Sequence, residues 1–104
     1  MNKAILHAII IYTLAGCPYC MKAKALLDKK EVAYEEIEVQ NSQDPNVAVL
    51  RKKLNNPDRL TFPQIFIDNM RIGGCDDLYD LDKEGRLDKF LEGQPKKDSA
   101  AVGA

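Results

Sequence analysis

The most informative stretch of this 104-residue sequence is Ile9-Ile10-Ile11-Tyr12-Thr13-Leu14-Ala15-Gly16-Cys17-Pro18-Tyr19-Cys20. Its first half is apolar and rich in β-branched residues, which predicts a strand over His7 to Thr13 that is buried on both faces. Leu14 to Gly16 should form a turn, and Pro18 suits the first turn of a helix that runs to about Lys30. The pattern therefore places two cysteines where a strand, a turn and a helix meet.

The two cysteines have the spacing of a reversible dithiol. Cys17 precedes the helix N-terminus, where unpaired N–H groups and the helix dipole favour the thiolate, the reactive form of the side chain. Cys20 lies one helical turn further on and should point toward the core, within disulfide reach of Cys17. An exposed nucleophile beside a buried resolving thiol is what thiol–disulfide exchange requires.

Two other interpretations of the cysteine pair are open. The pair could supply half of a zinc site, but the sequence then offers only Cys75 and His7 as further ligands. His7 lies at the opposite end of the strand from Cys17, so it is badly placed to complete such a site. Two buried structural cysteines are the second alternative, which the strand–turn–helix context disfavours. Since C-x-x-C near a β-α-β pattern indicates redox chemistry, we predict a redox pair and no metal site.

The rest of the sequence alternates between strands and helices. A second strand is predicted over Val32 to Val39, near a sheet edge because it carries several glutamates. Asp44 should cap the next helix, with Pro45 at its first position.

Two short strands and a helix should complete the domain. The strands are predicted over Gln64 to Asp68 and Met70 to Ile72, with Asp68-Asn69 as the hairpin turn. Cys75 or Asp76 should cap the final helix, which should be interrupted at Gly85. The order β-α-β-α-β-β-α indicates an α/β sandwich with a mixed sheet flanked by helices.

Composition limits the class of protein. The length allows one domain, predicted over residues 1–92, followed by a flexible tail over residues 93–104. Fifteen Lys and Arg against sixteen Asp and Glu give a net charge of −1, so no basic excess points to nucleic acid or an anionic membrane. No apolar run reaches the roughly 18–20 residues of a membrane span. We expect a soluble cytoplasmic protein whose thiols stay mostly reduced.

The N-terminal residues allow a second interpretation. Leu14-Ala15-Gly16-Cys17 resembles a bacterial lipoprotein cleavage site, which would place a lipid on Cys17. His7 interrupts the preceding apolar run, and Tyr12 and Thr13 stand where a signal core should be most apolar. Cleavage would also remove the first strand from a small core. We therefore predict a strand here and not a signal peptide.

Four ordered motifs make the sequence resemble the dithiol glutaredoxins. The motifs are Ile11-Tyr12-Thr13, Cys17-Pro18-Tyr19-Cys20, Thr61-Phe62-Pro63-Gln64-Ile65-Phe66 and Gly73-Gly74-Cys75-Asp76-Asp77-Leu78. The resemblance covers about Ile9 to Leu91 and implies a thioredoxin-like, three-layer sandwich with a four-stranded sheet. It also implies glutathione-dependent reduction of protein disulfides and of protein–glutathione mixed disulfides by Cys17 and Cys20. Glutathione would be the reducing co-substrate of a monomer with no tightly bound cofactor.

The resemblance further implies where glutathione binds. Pro63 should follow a cis peptide bond and face Cys17, and the Phe62 backbone should pair with the cysteinyl part of glutathione as an added strand would. The backbones of Cys75 and Asp76 should hold the γ-glutamyl carboxylate at a helix N-terminus. The full expected binding set is Tyr19, Arg59, Thr61, Phe62, Pro63, Gly74, Cys75 and Asp76.

One position departs from the family pattern. Many relatives have Lys three residues before the first motif cysteine, as a cation for the glycine carboxylate of glutathione, but this position is Leu14. Arg59 matches another basic site of the family and could bind that carboxylate through two hydrogen bonds. Cys75 stands where many relatives have Ser or Thr, and its side chain is expected to pack rather than react.

Two other functions compete with a glutathione-dependent enzyme. The first is a dimer that carries a [2Fe–2S] cluster on Cys17 of each chain and two glutathiones, which Pro18 and Cys20 disfavour. The second is a protein-disulfide reductant fed by a thioredoxin reductase. Pro18-Tyr19 and the Gly73-Gly74 segment favour glutathione instead.

Overall fold

The structure is a computed structural model that describes residues 9–92. The predicted start of the first strand at His7 and the predicted tail over residues 93–104 lie outside the described residues.

The first strand and helix form where the apolar run and Pro18 predict them. Strand β1 spans Ile9–Leu14 and helix α1 spans Pro18–Lys29. Leu14 belongs to the strand and not to the turn, because it pairs with Val39 of the neighbouring strand. The turn is therefore one residue shorter than predicted, and Gly16 takes a φ of +78° within it.

A four-stranded mixed sheet forms the middle layer. Strands β2 (Glu35–Val39), β3 (Gln64–Ile67) and β4 (Met70–Gly73) join β1 in the order β2-β1-β3-β4. The β1–β2 pair is parallel and the other two pairs are antiparallel. The edge position predicted for β2 is confirmed, although the strand begins at Glu35 and not at Val32. Asp68 and Asn69, both at positive φ, form the hairpin turn between β3 and β4.

Three further helices complete the described part of the chain. Helix α2 spans Pro45–Lys53, and the Asp44 side chain caps it by accepting the N–H of Asn46 at 2.9 Å. Helices α3 (Cys75–Lys83) and α4 (Leu87–Leu91) are separated by Gly85, which confirms the predicted interruption. Gly74 is the N-cap of α3, so the predicted cap at Cys75 or Asp76 is wrong by one or two residues. No helix within residues 9–92 is long and apolar enough to cross a membrane.

The core lies on both faces of the sheet. Ile9 and Ile11 of β1 pack with the buried side chains of α1 and α3, including Leu27 and Leu78. Tyr12 belongs to a second cluster on the α2 face. Strand β1 thus contributes to both faces, as its continuous apolar run predicts, and the layers form the expected sandwich.

A polar network ties the exposed edge strand to α1. The Thr13 hydroxyl donates to Glu36 Oε2 at 2.7 Å, and Lys24 Nζ lies 2.9 Å from the same oxygen. The hydrogen bond from Thr13, followed by the contact with Lys24, holds the pKa of Glu36 below its ordinary value. This side of the sheet is therefore fixed beside the helix that carries the two motif cysteines.

Candidate active site

Cys17 occupies the N-cap of α1, where the sequence places a reactive thiol. Its N–H donates to the Leu14 carbonyl at 3.1 Å, which holds the residue at the end of the turn. Its Sγ accepts the backbone N–H of Cys20 at 3.2 Å, and the side chain is only half-buried. A backbone N–H directed at the sulfur stabilises negative charge there, and the partial exposure lets a substrate sulfur approach.

Cys20 is the buried partner of Cys17. Its side chain is 1% exposed, since α1 turns it toward the core. Burial raises the pKa of the Cys20 thiol to about 12, and its interaction with Cys17 adds to the shift. Cys20 is therefore a poor nucleophile while the site is at rest, and Cys17 is the thiol available to react first.

The Phe62–Pro63 segment faces the reactive sulfur. The peptide bond between these residues is cis, which confirms the expectation for Pro63. The Cys17 thiol lies 3.9 Å from the Phe62 carbonyl oxygen, so it can donate a weak hydrogen bond to it. The chain before β3 is thus in direct contact with the N-terminus of α1, although 45 residues separate the two in sequence.

A shallow groove extends from this contact toward α3 and has a volume of about 230 Å³. It brings together seven of the eight residues expected to bind glutathione. These are Tyr19, Thr61, Phe62, Pro63, Gly74, Cys75 and Asp76. The groove therefore joins the loop before β3 to the start of α3.

The start of α3 closes one end of the groove. The Asp77 carboxylate accepts the Gly74 N–H at 3.0 Å. Cys75 and Asp76 are the first residues of the helix, where backbone N–H groups have no partner within the helix. Cys75 itself is 5% exposed, and burial raises the pKa of its thiol. Its side chain packs into the core, as expected.

Arg59 and Leu14 both lie outside the groove lining. Arg59 is exposed, and a role in binding the glycine carboxylate stays a prediction. Leu14 is 36% exposed at the position where many relatives have Lys. The groove lining also contains Arg71 and Asp77, neither of which belongs to the binding set expected from the sequence. For Arg71 the sequence carries no signal, since it lies in a short edge strand outside every motif.

Within residues 9–92, no group of three or more His, Cys, Asp or Glu side chains is arranged to hold a metal ion. His7, the remaining ligand of the alternative zinc site, lies outside the described residues.

Comparison with known protein families identifies one matching model. The model is described as "Glutaredoxin", and it matches residues 9–72, which is more than half of the chain. The match extends from β1 through the cysteine motif to β4.

Individual relatives agree with the family match. The chain is 98% identical over 98 residues to "Glutaredoxin 1" of Rickettsia bellii, covering 94% of this chain and all of the relative. It is 49% identical over 82 residues to "Glutaredoxin 3" of Escherichia coli, covering 79% of this chain and 94% of the relative. Among solved structures, a buckwheat glutaredoxin–glutathione complex superposes with a TM-score of 0.70 at 26% identity, over 85% of this chain and 80% of the other.

Proposed function

The chain belongs to the glutaredoxin family of glutathione-dependent disulfide oxidoreductases, and we propose that Cys17 is its nucleophile and Cys20 its resolving thiol. The observation that carries the assignment is the asymmetry of the pair. Cys17 is half-exposed at a helix N-cap and contacts the carbonyl of the groove residue Phe62, whereas Cys20 is buried one turn behind it.

Reduction of a protein–glutathione mixed disulfide needs only Cys17. Its thiolate attacks the glutathionyl sulfur, the S–S bond breaks, and the target protein leaves as a thiolate that takes up a proton. Cys17 is then joined to glutathione, and a second glutathione thiolate attacks that sulfur to release glutathione disulfide. The cycle consumes two glutathiones per target, counting the one that arrives on the protein, and regenerates Cys17.

Reduction of a protein disulfide also needs Cys20. Cys17 attacks one sulfur of the target disulfide, the S–S bond breaks, and the other target sulfur leaves as a thiolate that takes up a proton. Cys17 is then joined to the target, and its negative charge is absent. Because that charge contributes to the raised pKa of Cys20, the resolving thiol loses its proton more easily at this stage. Cys20 attacks the Cys17 sulfur, the target thiol leaves, and a Cys17–Cys20 disulfide forms. Glutathione can reduce it, since glutaredoxin potentials are about −200 to −230 mV.

The groove is the proposed site of glutathione. The cysteinyl part would lie along the Phe62 backbone, beside Tyr19 and Thr61, with its sulfur toward Cys17. The γ-glutamyl carboxylate would accept N–H groups of Cys75 and Asp76 at the start of α3. Arg59 is the proposed partner of the glycine carboxylate.

The remaining proposals concern the partners, cellular location, oligomeric state and domain bounds of the protein. Oxidised and glutathionylated proteins are the proposed partners of a monomer in the cytoplasm, where glutathione is the abundant reductant. Residues 1–92 are the proposed catalytic domain. Neither nucleic acid nor a membrane is a proposed partner, because the net charge is −1.

Single-cysteine variants assayed with two substrates test the thiol roles. Cys17→Ser should abolish turnover of both a glutathionylated peptide and a peptide disulfide. Cys20→Ser should retain the first activity and lose the second. Glutathione-dependent turnover by Cys17→Ser would contradict the assignment.

Changing the electron donor separates the rival functions. Glutathione with its reductase should sustain turnover, and thioredoxin reductase should not. A brown, iron-containing protein after anaerobic purification would favour the cluster-carrying alternative, whereas a colourless, iron-free protein would rule that alternative out.

A further inference from the structure

Arg71 is the one basic side chain that lines the groove within the described part of the chain. It lies on the edge strand β4, exposed to solvent, two residues before the Gly73-Gly74 segment that leads into α3. Asp76 and Asp77 line the same groove, so the end near α3 presents charges of both signs.

A short hydrogen-bonded chain holds the Arg71 side chain in place. Its Nε donates to the Gln64 Oε1 at 3.2 Å. Gln64 is 2% exposed, and its Nε2 donates to both the carbonyl and the hydroxyl of Thr61 at 3.0 Å. The amide orientation is thereby fixed, with its oxygen toward Arg71, and Gln64 connects the groove residue Thr61 to the guanidinium.

Most donors of the guanidinium remain available to a ligand. Arginine carries five N–H groups, and the contact with Gln64 uses one of them. Among residues 9–92, Arg71 forms no ion pair within 4.0 Å, even though two aspartates line the same groove. A planar, positioned guanidinium with four remaining N–H donors suits a carboxylate, which it can bind through two parallel hydrogen bonds.

The charges of the groove match one end of glutathione. Its γ-glutamyl end carries an ammonium group and an α-carboxylate. Asp76 and Asp77 attract the ammonium but repel the carboxylate. Backbone N–H groups at the start of α3 offset part of that repulsion, and Arg71 supplies the full positive charge that these groups lack.

We propose that Arg71 is a specificity-determining residue, whose guanidinium pairs with the γ-glutamyl α-carboxylate of glutathione. The proposal rests on the proposed function, because it requires glutathione to occupy this groove. It leaves Arg59 as the candidate for the glycine carboxylate at the other end of the ligand. Discrimination for a γ-glutamyl thiol over a plain cysteine peptide then depends on a residue outside the family motifs.

The test uses Arg71→Met and three mixed-disulfide substrates of one peptide. The peptide carries glutathione, γ-glutamylcysteine or cysteinylglycine, and kcat/KM is measured for the first half-reaction with the full-length protein in reduced form. Arg71→Met should lower kcat/KM about tenfold for the glutathione and γ-glutamylcysteine substrates, which is the size expected of one charge-assisted contact at a solvent-exposed site. It should leave kcat/KM for the cysteinylglycine substrate unchanged. Unchanged turnover of cysteinylglycine also shows that the variant is folded.

Arg86→Met is the matched control, because it removes the same charge outside this groove. Arg86 pairs with Glu84 at 3.2 Å on an exposed surface. Arg86→Met should therefore leave kcat/KM unchanged for all three substrates. An equal loss on all three substrates in Arg71→Met, or a loss confined to glutathione and cysteinylglycine, would overturn the proposal. A wild-type protein inactive toward the glutathione mixed disulfide would refute the proposed function instead, which keeps the two failures distinct.

Discussion

Replacing Gly73 by alanine should destabilise the protein through a clash with the capping residue of α3. Gly73 has a φ of +123°, a region that side chains rarely occupy. A Cβ atom at this position would lie 2.7 Å from Cγ and 2.9 Å from Cβ of Asp77, with Oδ2 closer still. Rotation of the Asp77 side chain would move Oδ2 and Cγ away and deprive the Gly74 N–H of its acceptor, whereas the contact with the Asp77 Cβ atom can be relieved only by a small backbone shift.

The expected loss of stability in Gly73→Ala has two parts. Holding alanine in this backbone region costs about 1–3 kcal/mol. Losing the capping hydrogen bond costs about 1 kcal/mol more. Gly73→Ala should therefore lower the free energy of unfolding by about 2–4 kcal/mol in a urea titration. Because Asp77 also lines the groove, its displacement should raise the KM for glutathionylated substrates.

Two further variants separate the clash from the backbone strain. Gly85 has a φ of +74° with no atom within 4 Å of the added Cβ, so Gly85→Ala should cost only about 1–2 kcal/mol of strain. Asp77→Ala should cost about 1 kcal/mol, and Gly73→Ala on that background should cost about 1 kcal/mol less than on the wild type, since the cap is already gone. Additive effects of Gly73→Ala and Asp77→Ala would refute the clash with Asp77.

Three other expectations follow from burial and charge. Leu27→Ala, at a fully buried position, should lower the free energy of unfolding by about 2–5 kcal/mol, whereas Met21→Ala, at 67% exposure, should change it by less than about 0.5 kcal/mol in the same urea titration. Glu36→Gln should destabilise the protein at neutral pH, because the pKa of Glu36 is lowered in the folded state. That stabilisation is present above the ordinary carboxyl pKa of about 4.3 and is lost as pH falls through the folded-state value, so thermal melts of the two proteins should converge in acid; a constant difference would contradict the assigned cause. Iodoacetamide should alkylate Cys17 and spare Cys20 in the native protein, since burial raises the pKa of Cys20 to about 12; mass spectrometry of peptides should show a single modified site, and rapid loss of both thiols would contradict the asymmetry.

Most of the element order was predictable from local signals. Pro18 and Pro45 begin helices, Asp44 caps one, and the Asp68-Asn69 turn separates two strands, because each depends on backbone preferences of a few adjacent residues. The cysteine pair was recognisable for the same reason.

The boundaries that depend on neighbouring strands were less accurate. Leu14 extends β1 because Val39 pairs with it, and no property of the residues around Leu14 indicates that partner. The cap of α3 was also misplaced, since the side chain that accepts the Gly74 N–H comes from Asp77, three residues into the helix.

The sequence by itself indicated the family of this protein and the pair of cysteines, one helical turn apart, that we propose as nucleophile and resolving thiol. Those features are local, because helix spacing alone brings Cys17 and Cys20 together. Only the tertiary structure placed Arg71 in the groove. Strand β4 folds back along β3, so Arg71 meets Gln64, and Gln64 in turn holds Thr61 beside the site. Such a contact depends on the register of paired strands, which the spacing of residues along the chain does not reveal.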